Sequence, residues 1–292
     1  MTNHTSDPRS TALVLPFNVT FLGSEYRPLK PGMMRPCTRP YWLLMKNSLL
    51  VVHEADGTFQ LPEGDLPPWC PASSSPPLCV GIWRDRPLFA APLDKTVEIP
   101  EPYRTVSFQG PDATLDEHLS TLAGTANQVM EWERKSVYCG CCGTMMDRIP
   151  LTWGKVCPSC HAEYFPNIHP CIIVLVKRGE EFLLVRKAEW APGRFSLIAG
   201  FLEIGESLEE CVQREVLEET GVTVKNIRYV GSQNWPFPGQ EMIGFIAEHA
   251  EGEPRPDGIE IVEARWFTVD TMPCYPGNVR SISRWIMKNY CI

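Results

Sequence analysis

The chain has 292 residues, of which 43% are hydrophobic, and a formal net charge of −8 at pH 7. That length is comfortable for two or more domains with buried cores. The negative balance argues against a general nucleic-acid-binding protein, although a local basic patch around an anionic substrate stays compatible with it. No apolar run approaches the roughly 18 residues of a membrane span, and the polar start lacks the pattern of a signal peptide. We therefore expect no membrane association.

The 12 cysteines indicate a reducing compartment. Four have the spacing of a metal site, and the others are scattered: Cys37, Cys70, Cys79, Cys141, Cys171, Cys211, Cys274 and Cys291. Scattered thiols beside a thiolate metal site fit the cytoplasm better than a disulfide framework would. We predict a cytoplasmic protein.

Short strands separated by proline-rich turns are predicted up to about residue 110. The segment 41–52 has the pattern of two strands around a turn. Residues 61–79 are crowded with proline, serine and glycine and are expected to form a loop, and strand character resumes over 80–92. This part of the sequence shows no catalytic constellation, so we expect a small mixed β domain that supports binding or assembly.

A helix is predicted over 115–134. Thr114 and Glu117 form a capping-box pattern at its start, and apolar residues then recur at helical spacing. The helix is expected to end the first domain, 1–134, and to lead directly into a metal-binding module.

Two Cys-x-x-Cys pairs separated by 14 residues follow this helix: Cys139, Cys142, Cys157 and Cys160. Each pair presents two thiolates from a tight turn, and together they complete the tetrahedral shell of a structural zinc ion. Iron–sulfur or redox chemistry is the alternative for such a ligand set. Cys141 and His161 adjoin the ligands, but the spacing favours the four cysteines. Because four thiolates leave no open position on zinc, the module at 135–167 is expected to be structural.

Strands alternating with two helices are predicted from residue 168 onward. The strands are expected over 171–176, 181–186, 195–200, 223–230, 241–249 and 264–269, with a closing helix over 281–287. This order is typical of a sandwich with helices on both faces of a sheet. We therefore predict an α+β protein whose third domain occupies 168–292.

The other helix of this domain is predicted over 208–220. Ser207 with Glu210 forms a capping box before it, and Gly221 is a natural residue for its end. At about 100° per residue, Glu215 and Glu219 fall on the apolar stripe of this helix. The helix therefore directs carboxylates toward the protein interior.

Glu218 lies at the edge of the same stripe. Carboxylates that face inward one turn apart repel each other and lose hydration. Arg214 alone cannot neutralise three of them, whereas Mg²⁺ can, because it takes oxygen ligands and keeps waters or phosphates in its shell. The alternative is a charged helix whose glutamates reach out to solvent.

The stretch 200–222 resembles the Nudix box, G-x5-E-x7-R-E-U-x-E-E-x-G-U, where U is a bulky aliphatic residue. All nine specified positions match without a gap: Gly200, Glu206, Arg214, Glu215, Val216, Glu218, Glu219, Gly221 and Val222. The resemblance implies an α/β/α sandwich that hydrolyses a nucleoside diphosphate linked to another group. It also implies a catalytic Mg²⁺ or Mn²⁺ ion and three catalytic residues: Glu215, Glu218 and Glu219.

The resemblance also implies a metal-ligand set: Glu215, Glu219, Glu260 and Ala199. Glu218 is either a further ligand or the base for metal-bound water, and Glu260 is alternatively a surface carboxylate near a strand. Ala199 and Gly200 are expected to let the backbone approach the phosphates. Glu206 and Arg214 are expected to pair and fix the loop against the helix, with Gly200 and Gly221 supporting the box.

Two prolines and two aromatic residues stiffen the stretch 232–238, Ser-Gln-Asn-Trp-Pro-Phe-Pro. Its flat surfaces can stack on a base or a nicotinamide ring, or alternatively Trp235 and Phe237 fill the core. The stretch resembles the SQPWPFPxS array of NADH pyrophosphatases, except that Asn234 replaces a proline and Gln240 the final serine. The resemblance implies these substrate-binding residues: Gln233, Asn234, Trp235, Pro236, Phe237, Pro238, Gly239, Gln240 and Ile282.

An extra N-terminal domain, a zinc ribbon, the box and this array together resemble the layout of the NADH pyrophosphatase family. The resemblance implies metal-dependent hydrolysis of NAD(H) to nicotinamide mononucleotide and AMP by a homodimer. One alternative is a Nudix hydrolase acting on NAD-capped RNA 5′ ends or on ADP-ribose-like nucleotides. Another is a non-catalytic zinc-ribbon binding protein.

Overall fold

The computed structural model describes residues 13–33, 39–70, 77–110, 113–273 and 280–291. Four sequence predictions fall wholly or partly outside these ranges: the polar start of the chain, the middle of the loop at 61–79, Cys37 and Cys274. No helix within the described ranges is both long and apolar enough to cross a membrane.

The chain divides into two compact units. The N-terminal unit comprises Pro16–Ile168 together with Trp235–Gly239. The C-terminal unit comprises His169–Asn234 and Gln240–Ile292, with Met1–Leu15. The chain thus leaves the C-terminal unit after Asn234 and returns to it at Gln240. The division into three domains at 134/135 and 167/168 stays a prediction.

A seven-stranded mixed sheet forms most of the N-terminal unit. Its strands are β1 (Tyr26–Pro28), β2 (Tyr41–Lys46), β3 (Leu49–Ala55), β4 (Thr58–Gln60), β5 (Leu78–Trp83), β6 (Arg86–Pro92) and β7 (Tyr103–Val106). The order is β1-β5-β6-β2-β3-β4, with β7 paired to β3. β2 runs parallel to β6, whereas the β2–β3 and β5–β6 hairpins are antiparallel. A 3₁₀ helix at Val19–Glu25 precedes the sheet. The mixed β domain predicted from the sequence is confirmed.

The helix predicted at 115–134 is present as α1 (Glu117–Lys135), but its predicted cap is wrong. Asp116, not Thr114, is the N-cap residue, and its carboxylate accepts a hydrogen bond from the Leu119 backbone N–H at 2.9 Å. Aspartate is a strong N-cap acceptor, and it directly precedes the first turn. The apolar stripe of α1 packs against one face of the sheet and forms a single core with it.

Non-helical chain covers the opposite face of this sheet. Trp42, Leu44 and Val51 form a second cluster there, packed against Leu66 and Trp69. Among the described residues, the sheet therefore has a helix on one face only.

A small three-stranded sheet follows α1, with strands β8 (Asp147–Arg148), β9 (Lys155–Val156) and β10 (Glu163–Tyr164). The side chain of Glu133 on α1 accepts hydrogen bonds from Arg148 at 2.7 Å and from the buried Lys155 at 2.9 Å. The Trp132 indole N–H donates to the Trp153 carbonyl at 2.9 Å. These contacts tie the ribbon to α1.

A second mixed sheet organises the C-terminal unit. Its strands are β11 (His169–Arg178), β12 (Glu181–Lys187), β13 (Ile198–Phe201), β14 (Thr223–Trp235), β15 (Gln240–Glu251) and β16 (Ile261–Phe267). Its helices are α2 (Leu208–Thr220) and α3 (Ile282–Tyr290). The order is β14-β15-β11-β12-β16, with β13 paired to β11, and β11 runs parallel to β15. The predicted strands and both predicted helices are present.

Residues 232–235, which the sequence assigned to a stiff loop, are strand. β14 continues through Trp235, so only Pro236 and the residues after it form the turn to β15. Strand pairing satisfies the backbone here, and it overrides a loop signal that rested on prolines beginning only at residue 236.

Alternate residues of β11 face opposite sides of the sheet, as strand geometry requires. Ile172 and Val174 pack with the α2 side chains, whereas Ile173 and Leu175 pack with those of α3. Helices therefore cover both faces, and the predicted α/β/α sandwich is confirmed.

The two units share one strand plan. In the N-terminal unit, β2 forms a hairpin with β3 and runs parallel to β6, while β7 pairs with β3 and α1 follows. In the C-terminal unit, β11, β12, β15, β16 and α3 repeat these relations. Within the described residues, the N-terminal unit lacks a counterpart of α2. This repeat was not predicted from the sequence.

Candidate active site

The ends of α2 are fixed by the residues that the sequence indicated. The Glu210 backbone N–H donates to the Ser207 hydroxyl at 3.2 Å, and the Ser207 backbone N–H donates to the Glu210 carboxylate at 2.7 Å. Gly221 ends the helix with φ 70°, in the left-handed region that glycine adopts without strain. The predicted capping box and helix bounds are confirmed.

The inward face of α2 carries two carboxylates. Cys211, Val212 and Val216 are fully buried, and Glu219 beside them is only 5% exposed. The Glu215 side chain is 14% exposed. Glu218, by contrast, is 62% exposed at the solvent edge of the helix.

Arg214 joins the loop before α2 to the helix. Its guanidinium donates two hydrogen bonds to Glu206, at 2.5 and 2.9 Å, and one to Glu215 at 2.8 Å. It also donates to the Phe201 carbonyl at 2.9 Å. The bond from Arg214 holds the pKa of Glu206 down at about 2. The loop and the helix therefore carry a fixed, ionised pair, as in the expected arrangement of Glu206 and Arg214.

Glu219 has a buried carboxylate oxygen, Oε2, without a hydrogen-bond partner among the described residues. Burial raises the pKa of Glu219 to about 8. Lys187 counteracts this rise, whereas neighbouring carboxylates add to it: Glu215, Glu260 and Asp257. Burial also raises the pKa of Glu215, despite its bond to Arg214. An unpartnered oxygen among crowded carboxylates fits a hard divalent cation.

Lys187 and Asp257 belong to this cluster but were not predicted from the sequence. Lys187, at the end of β12, donates to the Glu260 carboxylate at 3.1 Å. Asp257 accepts from three successive backbone N–H groups, those of Ile259, Glu260 and Ile261, at 3.0, 3.2 and 2.8 Å. It thereby holds the loop that carries Glu260. A signal for Lys187 existed, because it continues the alternation of Leu183 and Val185, which face α2.

Gly200 makes room for a carboxylate. It pairs with Ile172 on β11, and a side chain at this position would overlap the Glu215 carboxylate. The neighbouring Ala199 pairs with Ile173 and is half-buried. Gly200 therefore leaves the space that the Glu215 carboxylate occupies. The expectation that Ala199 and Gly200 let the backbone approach the phosphates stays a prediction.

The four predicted zinc ligands converge in the ribbon. The Sγ atoms of Cys139, Cys142, Cys157 and Cys160 all lie within 4.8 Å of one another. Three of the distances are 3.5 Å for Cys139–Cys160, 3.4 Å for Cys142–Cys157 and 3.6 Å for Cys142–Cys160. Four sulfurs bound to zinc at about 2.3 Å would lie about 3.8 Å apart in a tetrahedron. The donor set and its spacing therefore fit a structural zinc ion.

Two equivalent turns present these thiolates. The Gly143 N–H donates to the Cys139 carbonyl at 2.9 Å, and the His161 N–H donates to the Cys157 carbonyl at 3.0 Å. Both donors are left-handed, with φ 75° and 61°. His161 therefore closes a turn, and Cys141 is an exposed thiol 3.5 Å from the Tyr164 hydroxyl.

Comparison with known proteins places the chain in a family. The NUDIX domain model matches residues 167–287. The model of the NADH pyrophosphatase-like rudimentary NUDIX domain matches 40–132, and that of the NADH pyrophosphatase zinc ribbon domain matches 134–165. The NAD-capped RNA hydrolase NudC of Pseudomonas aeruginosa is 42% identical over 215 residues, which cover 72% of this chain and 75% of the relative. The chain is a Nudix hydrolase of the NADH pyrophosphatase type.

Further relatives of this Nudix hydrolase carry the same name. NAD-capped RNA hydrolase NudC of Stutzerimonas stutzeri is 39% identical over 211 residues, covering 72% of this chain and 76% of the relative.

Among solved structures, a NUDIX hydrolase from Nitrosomonas europaea has 29% identity and a TM-score of 0.44, covering 53% of this chain and 89% of that one. The match to a rudimentary NUDIX domain agrees with the strand plan that the two units share.

Gln233 and Ile282, which were predicted to bind substrate, lie inside this Nudix hydrolase. The Gln233 side chain is fully buried; its amide N–H donates to the Arg280 carbonyl at 2.6 Å and its carbonyl accepts from the Ile282 N–H at 2.7 Å. Ile282 is only 1% exposed and belongs to the core between β11 and α3. Both residues hold the start of α3 in this structure.

The aromatic residues of the predicted substrate stretch pack within the N-terminal unit. Phe17 makes edge-to-face contacts with Trp235 and Phe237, with ring centroids 5.6 and 5.3 Å apart. Phe237 also stacks on Phe108 at 5.5 Å. The Asn127 side-chain amide donates to the Pro236 carbonyl at 2.9 Å. The Trp235 and Phe237 side chains therefore pack against the core of the N-terminal unit, but each remains half-buried.

The rest of the stretch is more accessible. Pro238 is exposed, and three other predicted substrate-binding residues are half-buried: Asn234, Gly239 and Gln240. Their roles toward a substrate stay predictions.

Gly200→Ala is expected to lower turnover by roughly 10- to 100-fold and to weaken divalent-cation binding, because the added methyl displaces the Glu215 carboxylate. Steady-state rates and Mn²⁺ titration measure the two effects. In a Glu215→Ala background the same glycine substitution should cost little more, because the group it displaces is gone. Fully additive losses would contradict this explanation.

Proposed function

We propose that this chain hydrolyses the pyrophosphate bond of NAD(H), giving nicotinamide mononucleotide and AMP, with divalent cations held by Glu215, Glu219 and Glu260. The observation that carries the proposal is the buried Glu219 Oε2 atom on the box helix, which has no hydrogen-bond partner among the described residues and lies on the same helix face as Glu215. The family supports the same reaction, because both the N-terminal domain and the ribbon match NADH pyrophosphatase models.

We assign each residue of the site a role in hydrolysis from its position on or beside α2. When bound, Mg²⁺ or Mn²⁺ would neutralise phosphate charge and lower the pKa of the attacking water. Glu215 and Glu219 face inward to hold the cation, and Arg214 fixes Glu215 from the side. Glu218, which is exposed and accepts a hydrogen bond from Arg214 at 3.3 Å, would accept the proton that the water gives up. Water then adds to one phosphorus, the anhydride P–O bond breaks, and the second phosphate leaves with its electron pair.

NAD-capped RNA is the second candidate substrate. The relatives named above are NAD-capped RNA hydrolases, and the capped end is the same dinucleotide. The net charge of −8 acts against a long RNA, since it repels the phosphates beyond the cap. ADP-ribose-like nucleotides contain the same pyrophosphate but lack the nicotinamide.

Parallel rates on NADH, NAD⁺, ADP-ribose and NAD-capped RNA, with product identification by mass spectrometry, test the proposal. We expect nicotinamide mononucleotide and AMP from the free dinucleotides. Release of free nicotinamide instead, or no cleavage of any substrate with Mg²⁺ or Mn²⁺ present, would contradict it. A rate on capped RNA above that on NADH would favour the second candidate.

We also propose Mg²⁺ or Mn²⁺ as the catalytic ion, a homodimer and a cytoplasmic location. Oxygen-only ligands favour these two ions over softer metals. The homodimer follows from the family resemblance, and the location follows from scattered thiols beside a zinc site. Activity after metal exchange, sedimentation analysis and cell fractionation test these points.

Trp235→Ala should raise the KM for NADH by roughly tenfold if the indole stacks on the substrate, which is the usual size of a base–aromatic contact. Phe17→Ala is the matched control, because it loses the same ring contact at 5.6 Å. Both variants should melt at lower temperature, but only Trp235→Ala should raise KM, and more for NADH than for a small nucleoside diphosphate. Equal KM effects in the two variants would make Trp235 a packing residue.

A further inference from the structure

Lys187 brings a positive charge into the carboxylate cluster. It ends β12, and its ammonium group lies 3.1 Å from Glu260 Oε2. Its side chain is 29% exposed, so the charge is partly withdrawn from water. The same ammonium also acts electrostatically on Glu219 and Asp257. Lys187 therefore contacts one carboxylate of the cluster and acts on Glu219, whose Oε2 atom has no hydrogen-bond partner among the described residues.

Arg214, the other positive charge described near this cluster, forms no hydrogen bond with Glu219 or Glu260 among those described. Its guanidinium donates to three carboxylates, those of Glu206, Glu215 and Glu218, and to the Phe201 carbonyl. Among the described residues, Glu260 is paired with Lys187, so a metal ion that binds Glu219 and Glu260 would compete with this ammonium group. Fold stability gives little reason for the Lys187–Glu260 pair, because Glu260 is 63% exposed and exposed ion pairs contribute little.

We propose that Lys187 sets the affinity of the carboxylate cluster for its divalent cation: it holds Glu260 in place in the cation-free protein and competes with the cation for that carboxylate. The inference rests on the proposed function, because it takes Glu219 and Glu260 as cation ligands. Lys187 is thus a positioning residue, and it makes the ion easier to release.

Mn²⁺ binding to the zinc-loaded full chain tests this, with free Mn²⁺ followed by electron paramagnetic resonance and no substrate present. Lys187→Gln should bind Mn²⁺ roughly tenfold more tightly, the size expected for one unit charge a few ångströms away at a partly exposed site. Lys187→Met, which keeps the stem and removes the charge, should behave alike. Lys187→Arg keeps the charge and should stay near wild type.

Lys225→Gln is the control, because it removes the same charge from an exposed position on β14. Unchanged or weaker Mn²⁺ binding by both neutral Lys187 variants would overturn the inference, as would equal tightening by Lys225→Gln. Failure of the wild type to bind Mn²⁺, or equal binding by Glu219→Gln, would instead overturn the proposed metal site. The two failures are therefore distinguishable.

Discussion

Glu219→Gln is expected to lower turnover by about 10³-fold or more while the fold and the zinc content stay intact. Glutamine has the shape of glutamate but offers no anionic oxygen to a cation, and loss of metal-assisted charge stabilisation costs about 4 kcal/mol. The fold should tolerate the change because glutamine is neutral and nearly isosteric, and because Glu219 Oε2 has no hydrogen-bond partner within the described residues that the substitution could remove. Steady-state kinetics, circular dichroism and zinc analysis measure these outcomes.

The same substitution should remove a pH dependence of stability. The pKa of Glu219 is raised from 4.5 to about 8 in the folded protein, so folding favours its protonated form. The stabilisation is complete below about pH 4.5, falls as the pH rises and is gone above about pH 8, a change of roughly a few kcal/mol. Urea unfolding of cation-free protein between these limits should show this loss in the wild type and little of it in Glu219→Gln.

Glu209→Gln is the matched control for both experiments. Glu209 lies in the first turn of α2 and is exposed, so its loss should leave turnover and the pH dependence unchanged. Wild-type turnover by Glu219→Gln would remove Glu219 from the metal site. A comparable fall in turnover with Glu209→Gln would point to a general effect on the helix.

The box helix could be predicted from the sequence because its determinants are local. Ser207, Glu210 and Gly221 fix its ends through contacts within four residues, and helical periodicity alone turns Glu215 and Glu219 inward. The zinc ligands were predictable for the same reason, since each turn is set by its own Cys-x-x-Cys spacing.

Contacts that depend on sheet register or on distant segments could not be predicted. Lys187 contacts Glu260, 73 residues further along the chain, because β12 pairs with β16. Trp235 packs on Phe17 from the opposite end of the sequence. The repeated strand order could not be predicted, because the sequence of the N-terminal unit does not contain the Nudix box, which is the feature that carries the family resemblance.

Cys157→Ser is expected to abolish stoichiometric zinc binding and to destabilise the ribbon strongly. Cys157 is completely buried, and its Sγ lies 3.4 Å from that of Cys142. A serine hydroxyl stays protonated and is a poor zinc ligand, and structural zinc contributes roughly 10 kcal/mol or more to folding in small zinc modules. The short strands β8, β9 and β10 offer few residues to replace that contribution. Metal analysis and thermal unfolding measure the effect.

Cys141→Ser is the control for Cys157→Ser, because it removes a thiol of the ribbon that is not a predicted zinc ligand. Cys141 lies in the same turn as two ligands but is exposed, and the cluster of four sulfurs does not include it. One zinc per chain and a near wild-type melting temperature are therefore expected for this variant. Zinc loss on Cys141→Ser would mean that the ligand set is wrong, and a stable, fully active Cys157→Ser would mean that the fold does not need the ion. Because Glu133 on α1 binds both Arg148 and Lys155, unfolding of the ribbon should also loosen the end of α1.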